Sequence, residues 1–427
     1  MIRTIFSISS LLCGIALVLM GLALLATSLG IRAVEERYSD AVMGLIMASY
    51  FVGFVIGSFI LPPLVRRIGP IRTYAALAAI GSVCAFMHAL LVMPLAWAAL
   101  RCIMGIALVG IYMVVEGWLN GMVPNQRRGK IFGVYMMVTL GAQALGQFLL
   151  LLDPGATIAA FGIAASFFSL GIVPVALTRR AQPAMVEAPT VHLAELRRRA
   201  PLSLAAALAA GLVTASFWGL GAVFASRTGL PAPQVAAFMA ALIAGGVLLQ
   251  WPVGHFSDHH DRRHVMIAVA ALGTAAAVFA SFAWRLGPVW LYVSAATVGG
   301  MIFTLYGLSV AYLNDRIHSD AALDAARGIL LVFGVGSSVG PVAAGLAMEY
   351  GGPSGLPLSA AVVLGLFALY AIRAARTEPP VSEADRSTFI PMDQTSQAAL
   401  ELDPRLVTED AASTPAREEP GADFERR

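Results

Sequence analysis

Twelve stretches of mostly apolar residues, each about long enough to cross a lipid bilayer, recur along this chain and leave little room for any other kind of structure. They fall at 6–31, 41–65, 71–92, 94–121, 130–152 and 155–178, then at 202–226, 233–256, 264–285, 287–313, 327–350 and 354–375. A helix rises 1.5 Å per residue, so about 20 apolar residues span the hydrocarbon core. Composition agrees: 58% of the 427 residues are hydrophobic and only 12% charged, and the mean hydropathy is +0.78. Soluble domains carry about twice that share of charge. A chain this apolar cannot cover itself with polar groups, so its solvent must be lipid. The expected fold class is an all-α membrane protein with twelve transmembrane helices.

The first run begins like a secretion signal, with Arg3 ahead of it and small residues around Ala26 and Ser28. A signal's apolar core is only about 7–15 residues long, whereas residues 5–31 could cross on their own. This run is therefore expected to stay as a helix.

The spans come as six, a break and six. The break, 179–201, is polar and holds Arg179, Arg180, Arg197, Arg198 and Arg199. The organisation expected is a first bundle over 1–178, a linker over 179–201, a second bundle over 202–376 and a tail over 377–427. The last fifty residues hold twelve Asp/Glu and five Arg, a net of −7 against +3 for the whole chain, so +10 falls on residues 1–377. That tail, rich in Pro, Ser, Thr and acids, is expected to be disordered.

Arginines orient the spans. With the N-terminus inside, Arg66, Arg67, Arg72, Arg127, Arg128, Lys130, the linker arginines, Arg262, Arg263, Arg316, Arg327, Arg373 and Arg376 are cytoplasmic. Only Arg32, Arg37, Arg227 and Arg285 remain outside. This is the positive-inside pattern, and an even number of crossings puts both termini in the cytoplasm. The expected location is the bacterial inner membrane, with the lipid bilayer as a partner and anionic headgroups against the basic loops. Nucleic acid is excluded as a partner because the sequence offers no basic folded face.

The halves repeat each other. If Arg66 is set against Asp258, the loops after the second and eighth spans lie 192 residues apart. Leu119-Asn120 returns as Leu313-Asn314 and Arg128-Gly129 as Arg327-Gly328, while Gly141 and Gly146 return as Gly340 and Gly345, 199 residues on. Duplication of a six-helix unit accounts for this, and such parallel repeats place a binding site between the halves near the midplane.

The second-half loop resembles the signature G-x-x-x-D-[R/K]-x-G-[R/K]-[R/K] of the major facilitator superfamily, at Gly254, Asp258, Arg262 and Arg263. His259 stands for the basic residue and Asp261 for the second glycine. The first-half copy keeps Arg67, Gly69 and Arg72 but has Pro62 for the first glycine and Arg66 for the acid. Arg101-x-x-x-Gly105 and Gly336-x-x-x-Gly340-Pro341-x-x-x-Gly345 resemble the superfamily's arginine and glycine-proline motifs. Arg66-Arg67-Ile68-Gly69 with Arg72 and Tyr74, the run Val114-Val115-Glu116-Gly117-Trp118-Leu119, and Arg128-Gly129 followed by Tyr135-Met136 and Gly146-Gln147 are similar to the YcaD-like branch of bacterial transporters. The resemblance implies two pseudo-symmetric six-helix bundles and a secondary transporter that moves a small solute by alternating access, but it names no solute. Proton coupling stays open. An efflux pump of the same fold, or a non-transporting receptor or scaffold, is the alternative.

Candidate substrate residues follow from polar and aromatic groups at membrane depth. Arg101 lies about 10 Å into the fourth span, where a charge costs at least about 2.5–3.5 kcal/mol unless it faces a cavity or a partner. It shares a helical stripe with Gly105, Leu108, Tyr112 and Glu116; snorkelling to the headgroups is the other reading. Gln143, Gln147 and Gln250 can bind solute or bridge helices, and Tyr112, Trp218 and Tyr306 can line a cavity or simply pack. For gating, Glu116 is expected to meet Arg66 and Arg67 with the family's charges exchanged, or else to bind protons. Asp258 is expected to meet Arg316, beside Arg262 and Arg263.

No ATP-binding GxxxxGK[ST] loop, CxxC or HExxH occurs, and Cys13, Cys84 and Cys102 all lie in apolar runs. No cofactor and no metal are expected, even at His255, His259, His260 and His264, and no enzyme activity. A monomer is expected.

Overall fold

The computed structural model describes residues 2–122, 128–177, 193–317 and 319–377, together with Arg386 and Phe389. Most of the expected linker and tail therefore lies outside the described residues. The helices are α1 (Ile2–Glu35), α2 (Asp40–Ile68), α3 (Pro70–Leu90), α4 (Pro94–Met122), α5 (Arg128–Phe148), α6 (Ile158–Ala176), the short α7 (Leu193–Arg199), α8 (Pro201–Arg227), α9 (Ala232–His259), α10 (Arg262–Ala283), α11 (Pro288–Asn314), α12 (Ser319–Gly351) and α13 (Gly355–Thr377). Among the described residues there is no strand, and twelve helices are long and apolar enough to cross a membrane. The final turn of the fifth span, Leu149–Leu152, tightens to a 3-10 helix. The eleventh span begins as helix at Ser319, eight residues before the apolar run at 327.

Local chemistry sets the helix ends. Ser39 caps α2 by accepting from the Val42 N–H at 3.3 Å, and Asp261 caps α10 by accepting from the Arg263 N–H at 3.0 Å. Gly69 has φ 94°, a conformation open to glycine at little cost, and it lets α2 stop and α3 restart at Pro70. Large apolar side chains such as Leu95, Leu248 and Val289 are exposed on the outside, as a lipid-facing surface requires.

The repeat seen in the sequence is a repeat in packing. In the first half α2 lies along α4 and α1 along α5 and α6; in the second, α9 lies along α11 and α8 along α12 and α13. The closest crossings match residue for residue. A methyl group on Gly53 would strike the Cys102 carbonyl, and one on Gly105 the Tyr50 carbonyl. In the second half Gly245 sits against the Ala296 carbonyl and Gly299 against that of Leu242. Gly245 is 192 residues after Gly53, the offset of the two loops. Small residues are needed here because no hydrophobic effect drives helices together in lipid; close van der Waals approach must do it. Between the halves α2 packs on α12, α5 on α9 and α1 on α8, the pairing expected of two bundles related by a pseudo-two-fold axis.

Candidate functional site

Arg101 is a buried charge in the first half. It is 3% exposed and lies one turn after Trp97 on α4, with its guanidinium carbon 4.7 Å from the centre of the Tyr50 ring on α2. Cation–π attraction offsets part of the burial cost, yet Nε and Nη1 have no hydrogen-bond partner. Aromatic and imidazole rings extend the cluster toward the end of the bundle that holds the α1–α2 connection. Trp97 meets Tyr38 edge-on at 5.2 Å and donates its indole N–H to the His88 carbonyl at 3.0 Å. His88 is fully buried, its Nδ1 is 2.6 Å from the Cys84 carbonyl, and its Nε2 has no partner. Sequence reading passed over His88 because a single histidine near a span end carries no pattern.

The remaining candidates scatter. Gln147 accepts from the Thr27 hydroxyl at 2.5 Å and so ties α5 to α1; Gln250 donates to the Phe303 carbonyl at 3.4 Å and ties α9 to α11. Both act as bridges between helices. Gln143 is buried on α5. Tyr112 lies 6.3 Å from Phe54, the half-buried Trp218 lies 5.9 Å from Phe303, and the buried Tyr306 meets Phe333 edge-on at 5.1 Å. The structure therefore joins Trp218 and Gln250 through Phe303, while Arg101 keeps separate company with Tyr50 and Trp97.

At the end of the bundle that carries Arg101, charges join the two halves. Arg227, the last residue of α8, reaches Asp40 at the start of α2: Nε donates to Oδ1 at 3.2 Å and Nη2 to the Tyr38 carbonyl at 2.9 Å. Glu349 of α12 accepts from the Ala41 N–H at 3.3 Å. Beneath them Gly345 backs onto the Asp40 carbonyl, and Gly44 onto that of Pro341. Sequence reading used Arg227 only to orient the spans; its partner is 187 residues away, beyond any local pattern.

The opposite end holds the two signature loops. Arg262, with its side chain 1% exposed, donates from Nε to Asp315 at 2.6 Å, from Nη1 to the Ser257 hydroxyl at 2.8 Å and from Nη2 to Asp258 at 3.3 Å. The expected Asp258–Arg316 pair is thus replaced, among the described contacts, by Asp258–Arg262, and the acid brought in from the end of α11 is Asp315. Arg316 lies over the Tyr312 ring at 4.7 Å. Only His260 and Asp261 separate α9 from α10, so Arg262 at the start of α10 folds back onto Asp258, which a reading by family position does not foresee. Arg263 binds Asp261 and also donates to the Ala375 carbonyl of α13 at 3.4 Å. Burial raises the pKa of Asp261, but the hydrogen bonds and charge of Arg263, with His264 adding, outweigh it and hold the carboxyl below its ordinary range.

In the first half, Glu116 is fully buried and accepts from the Tyr135 hydroxyl of α5 at 2.7 Å. Arg66 and Arg67 are exposed at the end of α2. Among the histidines, His255 stacks on Trp251 at 5.7 Å and His260 on Phe256 at 3.8 Å.

The architecture agrees with a wider comparison. The family model described as Major Facilitator Superfamily matches residues 5–328. The chain belongs to this superfamily. It is 26% identical over 380 residues to an uncharacterized MFS-type transporter of Enterobacter sp. (strain 638), a match that covers 88% of this chain and 97% of the relative. It is also 26% identical over 378 residues to the uncharacterized MFS-type transporter YcaD of Salmonella typhimurium (strain LT2), covering 87% and 97%. Among solved structures it shares the superfamily fold with the nucleoside transporter NupG, at TM-score 0.71 and 15% identity over 88% of this chain and 100% of that one. A bacterial homolog of the human lysosomal transporter Spinster, inward-facing and occupied, has TM-score 0.71 and 16% identity over 90% and 98%. The protein is a multi-pass membrane transporter and not an enzyme. Superfamily membership accounts for the twelve helices, the doubled packing and the glycine crossings together.

Proposed function

We propose that this transporter moves a small solute bearing an anionic group, by alternating access, with the Arg101 guanidinium as the point of capture. The observation that carries this reading is the pair of guanidinium nitrogens, Nε and Nη1, that are buried and hold no partner. A buried charge left with open donors is costly, and a carboxylate or phosphate would offset that cost with two charge-assisted hydrogen bonds. Tyr50 and Trp97 give the site apolar walls, as small-molecule sites generally have.

In this reading the Asp40–Arg227 pair and the Glu349–Ala41 contact form a latch on the outer side, and the loops of Arg66, Arg67, Glu116, Asp258, Arg262, Arg263 and Arg316 form the cytoplasmic gate. Both termini are cytoplasmic, the two bundles rock against each other, and the protein works as a monomer. Glu116 is assigned to the gate with Arg66 because it sits near the helix end that carries those arginines.

The test is a thermal-shift screen of the purified protein against organic acids, amino acids, sugars and cationic drugs, followed by uptake into proteoliposomes. Organic acids should raise the melting temperature of the wild type and of Arg101→Lys, and should leave Arg101→Ala unmoved. Stabilisation by cationic drugs alone, or an equal shift in Arg101→Ala, would reject the anion reading.

A further inference from the structure

Phe389 lies twelve residues beyond α13, yet it is buried against the second-half gate. Only 7% of it is exposed. Its backbone N–H donates to Asp258 Oδ1 at 2.7 Å, and its ring covers Gly254 so closely that a methyl group there would overlap it. Gly254 and Asp258 stand one turn apart on α9 and so face the same way. The glycine leaves a flat seat for a ring, and the carboxylate waits one turn on for an amide. Two signature residues thus hold the ring and the backbone of Phe389.

The same oxygen, Asp258 Oδ1, also accepts from Arg262 Nη2. Arg262 in turn holds Asp315 at the end of α11 and the Ser257 hydroxyl. The amide of Phe389 therefore joins the hydrogen-bond cluster that ties α9, α10 and α11 together at this end of the bundle. The tether allows it. Twelve extended residues reach about 40 Å, and the Arg263 bond to the Ala375 carbonyl brings the exit of α13 beside α10.

We propose that Phe389, seated on Gly254 and Asp258, is an intramolecular strap point that clamps the Asp258–Arg262–Asp315 cluster and slows its opening. The seating is independent of the transport reading above; the clamp rests on the assignment of that cluster to the gate.

Two measurements on the full-length protein in nanodiscs separate these parts. Trypsin tests the seating, because Arg386 lies just before the seated residue whereas Arg405 lies well beyond it. Cleavage after Arg386 should be slower than after Arg405 in the wild type, and Phe389→Ala should abolish the difference while Phe389→Tyr keeps it. Equal cleavage at both arginines in the wild type would overturn the seating. Amide hydrogen exchange tests the clamp. In Phe389→Ala, and in a chain ended after Thr377, exchange should rise about tenfold, the weight of one hydrogen bond to a charged group, at 254–263 and also at 313–317, whose Asp315 is linked to Phe389 through Asp258 and Arg262. A rise confined to 254–258 would leave a surface anchor and overturn the clamp.

Discussion

The loop that follows the second helix of each half carries arginine pairs in both copies, and the two copies hold them in opposite ways. In the first half Arg66 and Arg67 project from the end of α2 into solvent. In the second, Arg262 and Arg263 are buried and ringed by Asp258, Asp261, Asp315 and Ser257. A buried acid of the first half, Glu116, sits on α4 and takes a tyrosine hydroxyl. Duplication thus preserved the backbone, down to the matched crossings at Gly53 and Gly245, and let the charges diverge. The difference follows from what each half offers. The second loop gathers Asp258, Asp261 and Asp315 around its arginines; in the first, Arg66 stands where the family places its acid.

The sharpest way to break this comparison is to remove an acid from the buried cluster. Asp315→Ala should cost about 3–5 kcal/mol, because it leaves the buried Arg262 without its shortest ion pair. Arg67→Ala should stay within about 0.5 kcal/mol, as for other exposed charges. Melting temperatures of the purified variants decide it, and equal losses would mean that the loops are not held differently.

Next in size is the buried carboxylate of the first half. Tyr135→Phe should cost about 1.5–3 kcal/mol, since it leaves Glu116 short of a hydrogen bond to a charged group; chemical denaturation in detergent would measure this. Transport sharpens the point. If Glu116 closes on Arg66, then Glu116→Arg and Arg66→Glu should each abolish uptake while the double variant recovers it, and a double variant as dead as the singles would discard the pairing.

The smallest effect expected is at Asp261. Its folded-state pKa lies below the ordinary carboxylate range, so its contribution is present above that range, near pH 4, and fades as pH falls through the folded value. Asp261→Asn should therefore flatten the acid limb of the stability profile by a small amount, because the group is partly solvated. An unchanged acid limb would show that the Arg263 contact adds nothing.

Much of this fold was legible in advance because lipid imposes a single rule: every backbone polar group must be satisfied within its own helix, so apolar length alone marks a span. The doubling was legible too, as Gly340, Gly345 and the two loops recur at nearly constant spacing. The site was legible only in part. Arg101 stood out because a charge at that depth needs a reason, and the structure gave it Tyr50 and Trp97. Gln147 and Gln250, which share the same polarity, turned out to bridge helices. Nothing in a side chain's identity separates a bridge from a ligand group; the neighbouring helix does.

From the sequence alone came the solvent, the number of crossings, the six-plus-six repeat and the superfamily resemblance, all of them consequences of hydrophobic length and local motif. Tertiary structure alone decided which charges meet. Asp40 finds Arg227, Arg262 finds Asp315 in place of an Asp258–Arg316 pair, and Phe389 returns to Gly254 and Asp258. Pairing energy depends on separation in space and on burial, and helices that cross a membrane bring together residues that no local window of sequence contains.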